Sequence, residues 1–237
     1  DEEEKVRRLK ELLDRTLKKL KELVEEHDKI LDELLKKLEE LVRRHNKLLD
    51  DLLRRVEERG LDEEVLRRLR EVVERVKREN RKVLEDIRRV VEEVKKKNRD
   101  VLKKAEDVIR KVKEDADRSR DKRMLVRLIE EVAEVLKDLL RLLKESDEEV
   151  IDALRKALER LERSSEKLAK VVRDVIREEN LEEELEDTVR KLLETSKKLL
   201  DEAREVLERL HRRSEELLRR VEETLRRLED EVRKITK

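Results

Sequence analysis

Aliphatic and polar positions alternate along residues 6–59 in blocks that repeat every eighteen residues. Residues 6–23 read VRRLKELLDRTLKKLKEL, 24–41 read VEEHDKILDELLKKLEEL, and 42–59 read VRRHNKLLDDLLRRVEER. Val6, Val24 and Val42 fall in register, as do Leu13, Leu31 and Leu49, and Leu17, Leu35 and Leu53. Leu9 is matched by His27 and then by His45. Eighteen residues are about five turns at 3.6 residues per turn. A repeat of that length keeps one face pointing one way, whereas a seven-residue repeat would impose a left-handed supercoil. The pattern predicts a long, straight helix over about 3–58 with polar residues set into its apolar face.

The same period carries three further helices. Blocks beginning at Val65, Val83 and Val101 place Asn80, Asn98 and Ala116 at one equivalent position and predict a helix over about 62–118. Blocks beginning at Leu125, Leu143 and Leu161 predict a third over about 122–178. Ser146-Asp147-Glu148-Glu149 looks like an N-cap in isolation, but Leu128, Ser146 and Ser164 are equivalent, so the helix is read as continuous. Blocks beginning at Leu185, Ala203 and Val221 predict the fourth, over about 182–235. Between helices, Gly60 is the only glycine and suits a C′ position of positive φ. Asp62 suits the next N-cap, with Glu63 and Glu64 at the positive end of the dipole. Asn180 suits a left-handed cap in the turn 179–181. Residues 119–122 carry no Gly or Pro; Ser119 or Asp121 would cap the third helix, and one continuous helix is the alternative there.

Stepping about 100° per residue confines the apolar positions of the four helices to arcs of roughly 120–160°. Four one-sided helices of about 80 Å, joined by short turns, lie antiparallel to their sequence neighbours. The fold class expected is all-α: an antiparallel up-down four-helix bundle of nearly untwisted helices. It forms one domain over 1–237, made of hairpins 1–118 and 119–237.

Polar residues inside the stripes carry the most information. Measured from the end holding the turns near 60 and 180, His45, Ser164, Ser196 and Asn80 all fall about 15–20 residues away, one on each helix. Thr195 and Ser165 flank them. His27, Ser146, Ser214, Asn98 and His211 fall together about 31–38 residues away, roughly 27 Å further along. Thr16 and Thr224 share a third level beside Ala105. An unpaired buried polar group costs roughly 1–3 kcal/mol, so such layers persist only if their members satisfy one another. His, Asn and Ser can each donate and accept. Sliding a helix by one turn would bury these groups against Leu and Val, so their expected use is to fix register.

Composition narrows the function. Charged residues make up 57% of the 237, but Lys+Arg and Asp+Glu both count 67. That balance lacks the basic excess of a nucleic-acid binder. No apolar run reaches a membrane span and no signal-peptide core or targeting signal is present, so localisation is left open. The chain opens on Asp1 without an initiator Met, which suggests processing or tag removal. It has no Cys, Pro or aromatic residue, hence no thiol chemistry. His27 and His45 are too far apart to share an ion. His27 and His211 share a level, but with no Cys or inward carboxylate to complete a set they give no zinc site. The Ser/His/Asn layers lack the carboxylate orienter, oxyanion hole and cleft of a hydrolase. The helices lack the Pro and interfacial aromatics of lipid-binding repeats. Interleaved Lys, Arg and Glu read as a solvated face with i,i+4 pairs. Neither cofactor nor partner is required. Buried neutral His also predicts stability that falls as pH drops through about 6.5.

With near-exact eighteen-residue blocks, no aromatic or Pro, and the turn Arg59-Gly60-Leu61-Asp62, the chain resembles de novo designed helical bundles. More narrowly it resembles parametric, untwisted bundles with buried hydrogen-bond networks. The resemblance covers the whole chain and implies a stable structural scaffold without enzymatic activity. The alternative is an association module in which hairpins are exchanged between copies.

Overall fold

Each amphipathic stripe becomes one helix, because the long runs of Leu, Val, Lys, Arg and Glu hold nothing that breaks a helix until the turns. In the computed structural model these are α1 (Glu2–Glu58), α2 (Glu63–Arg118), α3 (Lys122–Glu178) and α4 (Glu183–Thr236). The structure describes residues 2–118, 121–179 and 183–236.

The turn after α1 works as glycine chemistry requires. Gly60 takes φ 68°, a left-handed conformation that costs other residues roughly 1–2 kcal/mol. The N–H groups of Arg59 and Gly60 return to the carbonyls of Val56 and Glu57, both at 3.2 Å. Asp62 then accepts the first bond of α2, from the Leu66 N–H at 3.0 Å. At the start of α3, Asp121 Oδ1 accepts from the Arg123 N–H at 3.3 Å, an N-cap contact. The second and third stripes are therefore two helices, not one continuous helix. Lys97 on α2 reaches Glu149 on α3 at 2.9 Å, which such a helix would hold far apart. The expected caps at Ser119 and Asn180 lie outside the described residues.

By their contacts the residues group into two compact units. The first comprises Asp1–Leu31, Glu92–Val150 and His211–Lys237, and the second Asp32–Val91 and Ile151–Leu210. Each unit holds a segment of all four helices. In the first, α1 meets α2 through Lys21–Glu106 and Lys113–Asp14, α2 meets α3 through Lys97–Glu149, and α3 meets α4 through Lys137–Glu229. Arg220–Glu26 closes the ring between α4 and α1. Rising numbers on one helix meet falling numbers on the next, so neighbours are antiparallel. The second unit repeats this order, with Lys77–Asp50, Arg68–Glu178, Arg155–Glu208 and Arg44–Glu202. In both, α1 is diagonal to α3.

Aliphatic packing holds each ring together. In the second unit Leu49, Leu52, Val73, Val76, Leu168 and Val172 share one buried cluster. Burying such a side chain is worth roughly 1.5–3 kcal/mol. Exposed ion pairs contribute about 0–1 kcal/mol each. The surface pairs record the register of the helices; the stripes supply the stability.

Candidate functional site

The second unit gathers His45, Asn80, Ser196 and Ser165 at one level. Asn80 is wholly buried and His45 is 8% exposed. Asn80 Nδ2 donates to His45 Nδ1 at 2.9 Å and to Asn46 Oδ1 at 2.8 Å. With Nδ1 accepting, the ring proton sits on Nε2 and is given to Ser196 Oγ at 2.7 Å, with Ser165 Oγ at 3.4 Å. His45 is thus a neutral bridge between α2 and α4. Burial pushes its pKa down to about 4, because a charged imidazole would lose its hydration there. Asn80 Oδ1 is buried without a hydrogen-bond partner. Two cavities of about 20 and 30 Å³ flank this layer. Each has room for about one water, far below the roughly 300–1,000 Å³ of a substrate pocket. A wider space of about 670 Å³ between α3 and α4 is an open groove rimmed by Arg173, Arg177 and Arg190.

The first unit carries the same motif eighteen residues away, made more ionic. Asn98 Nδ2 donates to His27 Nδ1 at 3.1 Å. His27 Nε2 faces Ser214 Oγ at 2.9 Å and Asp147 Oδ1 at 3.1 Å. The Ser214 hydroxyl also donates to Asp147 Oδ1, at 2.5 Å. Asp147 is only 3% exposed. His211 turns Nε2 to Glu215 at 2.9 Å and Nδ1 toward Asp147 Oδ2 at 3.9 Å. That Nδ1 is buried without a hydrogen-bond partner, as are Asn98 Oδ1 and Asp28 Oδ1. Asp28 also hydrogen-bonds Asn98; burial raises its pKa, against the lowering effects of His27, Lys95, Arg99 and Asn98.

The layers therefore differ from expectation in membership. Ser146 is buried and Ser164 half-buried, but the hydrogen bonds come from the next residues, Asp147 and Ser165. Counting along a helix fixes height only; one residue further turns the side chain by about 100°, here toward α1. The expected absence of an inward carboxylate is overturned by Asp147. His211 joins through Glu215 and the edge of Asp147, not through His27. Among the described residues Thr16 and Thr224 show no hydrogen bond to one another: each hydroxyl donates to the carbonyl four residues back, Leu12 at 2.9 Å and Arg220 at 2.8 Å. That local bond satisfies a threonine without a second helix.

Ser214, His27 and Asp147 do not form the chain of a hydrolase relay. There the acid holds the ring nitrogen opposite the nucleophile. Here Asp147 and Ser214 share Nε2, and an amide holds Nδ1. Among the described residues no helix is long and apolar enough to cross a membrane. No family model, curated protein or solved structure matches the chain.

Proposed function

We propose that the chain is a structural scaffold of the designed-bundle kind, with no natural biochemical activity, in which buried polar layers set helix register. The observation that carries this reading is the repetition of one His–Asn–Ser arrangement. His45, Asn80 and Ser196 have their counterparts eighteen residues away in His27, Asn98 and Ser214. A reactive centre has no reason to appear twice at the helical repeat, whereas a register key does. In each layer, one slipped turn leaves an imidazole and a carboxamide facing aliphatic side chains, at roughly 1–3 kcal/mol per unpaired group.

Light scattering on a sizing column tests the reading. A self-contained scaffold gives a mass near 28.9 kDa. A fourfold variant, His45→Leu, Asn80→Val, Ser165→Ala and Ser196→Ala, should remain helical but lose its single species, with a mixture of masses or alignments. A variant that stays as homogeneous as the parent removes the register role. Twice the parental mass would replace the scaffold with an association module that exchanges hairpins between copies.

A further inference from the structure

In the second unit, α3 and α4 are laced together by ion pairs of opposite charge, Arg155–Glu208 and Glu162–Arg204. The helices are antiparallel, so one repeat further along adds eighteen residues on α3 and takes eighteen from α4. By that step Arg155–Glu208 becomes Arg173 opposite Arg190. A guanidinium stands where the preceding repeat has its carboxylate.

At this level the two helices leave a groove of about 670 Å³. Arg173 and Arg177 line it from α3 and Arg190 from α4, with Glu186 as the one carboxylate among its described lining residues. Arg173 and Arg177 are exposed, one turn apart, and among the described residues neither enters an ion pair. Arg190 pairs along its own helix with Asp187 at 2.8 Å. Beneath the charges lie aliphatic side chains, Ile176 of α3 with Val189 and Leu193 of α4. Ile176 and Val189 belong to the buried core, and Leu193 is half-buried.

We propose that this groove binds a small organic anion: a sulfonate, carboxylate or phosphate head on a compact apolar body. The head is what the guanidiniums select, since each offers a fixed fork of donors that fits two oxygens of one oxyanion. Glu186 lies one turn before Arg190 and level with Arg177. It offsets that guanidinium and leaves the head to Arg173 and Arg190. The body is what the aliphatic floor selects, because covering Ile176, Val189 and Leu193 removes apolar surface from water. The volume falls within the roughly 300–1,000 Å³ of small-molecule sites. An organic cation of the same shape meets three like charges. A bare inorganic anion gains the head contacts but leaves the floor wet. The site uses no member of either polar layer, so it stands or falls apart from the register reading.

The probe is 8-anilinonaphthalene-1-sulfonate, titrated into the full chain at low salt. Its fluorescence is followed together with the methyl resonances of Ile, Leu and Val. The expected result is saturation at one dye per chain, with Ile176, Val189 and Leu193 shifting while Val94 and Leu136 of the first unit stay still. Arg173→Glu with Arg190→Glu should weaken binding at least about 10-fold, the loss of one charge-assisted contact or more. Arg110→Glu with Arg226→Glu makes the same change of net charge on the first unit and should leave binding as it is. Inorganic phosphate should displace the dye at least about 10-fold less well than 1-naphthalenesulfonate, and 1-naphthylmethylammonium should not displace it. No saturation, shifts spread over both units, or equal losses in the two double variants would overturn the site. Equal displacement by phosphate or by the ammonium would overturn the class of ligand. The methyl shifts of the unmodified chain test the location even if a variant fails to fold.

Discussion

At the scale of the residue, one imidazole with two neutral partners sets a pH window. His45 accepts from Asn80 and donates to Ser196, so the folded layer needs it uncharged. Its pKa falls from 6.5 to about 4 on burial. Between those values the unfolded chain binds the extra proton, so stability contributed by this group is complete above 6.5 and is lost as pH falls toward 4. The loss amounts to about 3 kcal/mol. Urea midpoints at pH 7 and 4.5 should therefore drop further for the parent than for His45→Leu; equal drops would remove His45 as the cause. Asp28 has the opposite sign. Burial raises its pKa, so the folded chain holds its proton more tightly and the carboxylate weakens the fold once ionised. Asn46, its counterpart, accepts from Asn80 at 2.8 Å. Asp28→Asn should thus raise the melting temperature at pH 7 by a few degrees, or about 1 kcal/mol, with the gain vanishing in acid. Asp147 shows why the layers were only partly legible. It follows Ser146 in a stretch that resembles a helix start, yet it sits eighteen residues after Ile129 and before Ser165. Treating it as an occupant of an apolar position would have brought it inside; a count of heights could not, because height says nothing about azimuth.

At the scale of the element, the four helices were legible from their period, the absence of Pro and the turn chemistry at Gly60, while the junction at 119–122, without Gly or Pro, left one continuous helix open. Gly60 has φ 68°, and a Cβ built there would meet nothing within 4 Å. Gly60→Ala should then cost the backbone term alone, about 1–2 kcal/mol, measurable as a lowered urea midpoint without change of slope. A much larger loss would mean that the turn is packed rather than merely bent. The threonines show the converse. Thr16 is buried and Thr224 half-buried, at a shared height, but each satisfies itself within its own helix. An intrahelical bond of this kind contributes little or is mildly unfavourable. Thr16→Val keeps the shape and should change stability by less than about 1 kcal/mol. A loss of 2 kcal/mol or more would restore the interhelical contact that the sequence suggested.

At the scale of the molecule, one template is used twice with different charge, and that makes the two units answer acid differently. A proton added to His45 meets Asn80, Ser196 and Ser165, which offer no carboxylate. The His27 ring has the Asp147 side chain 3.1 Å from its Nε2. Charge on His45 is therefore left uncompensated in a buried layer, whereas the His27 layer holds a carboxyl group beside its ring. Amide hydrogen exchange at pH 7 and 4.5, corrected for intrinsic rates, should show protection falling first around Val42, Leu49, Val76 and Val83. Val24, Leu31, Val94 and Ile151 serve as the comparison, the first three beside the His27 layer and the last as a second-unit residue away from His45 on the chain. Ser165→Asp offers the decisive reversal, because it gives His45 the carboxylate that His27 already has. In that variant the segments around His45 should keep their protection in acid. If they loosen as in the parent, the response does not come from the missing carboxylate, and the difference between Ser165 and Asp147 has no part in it.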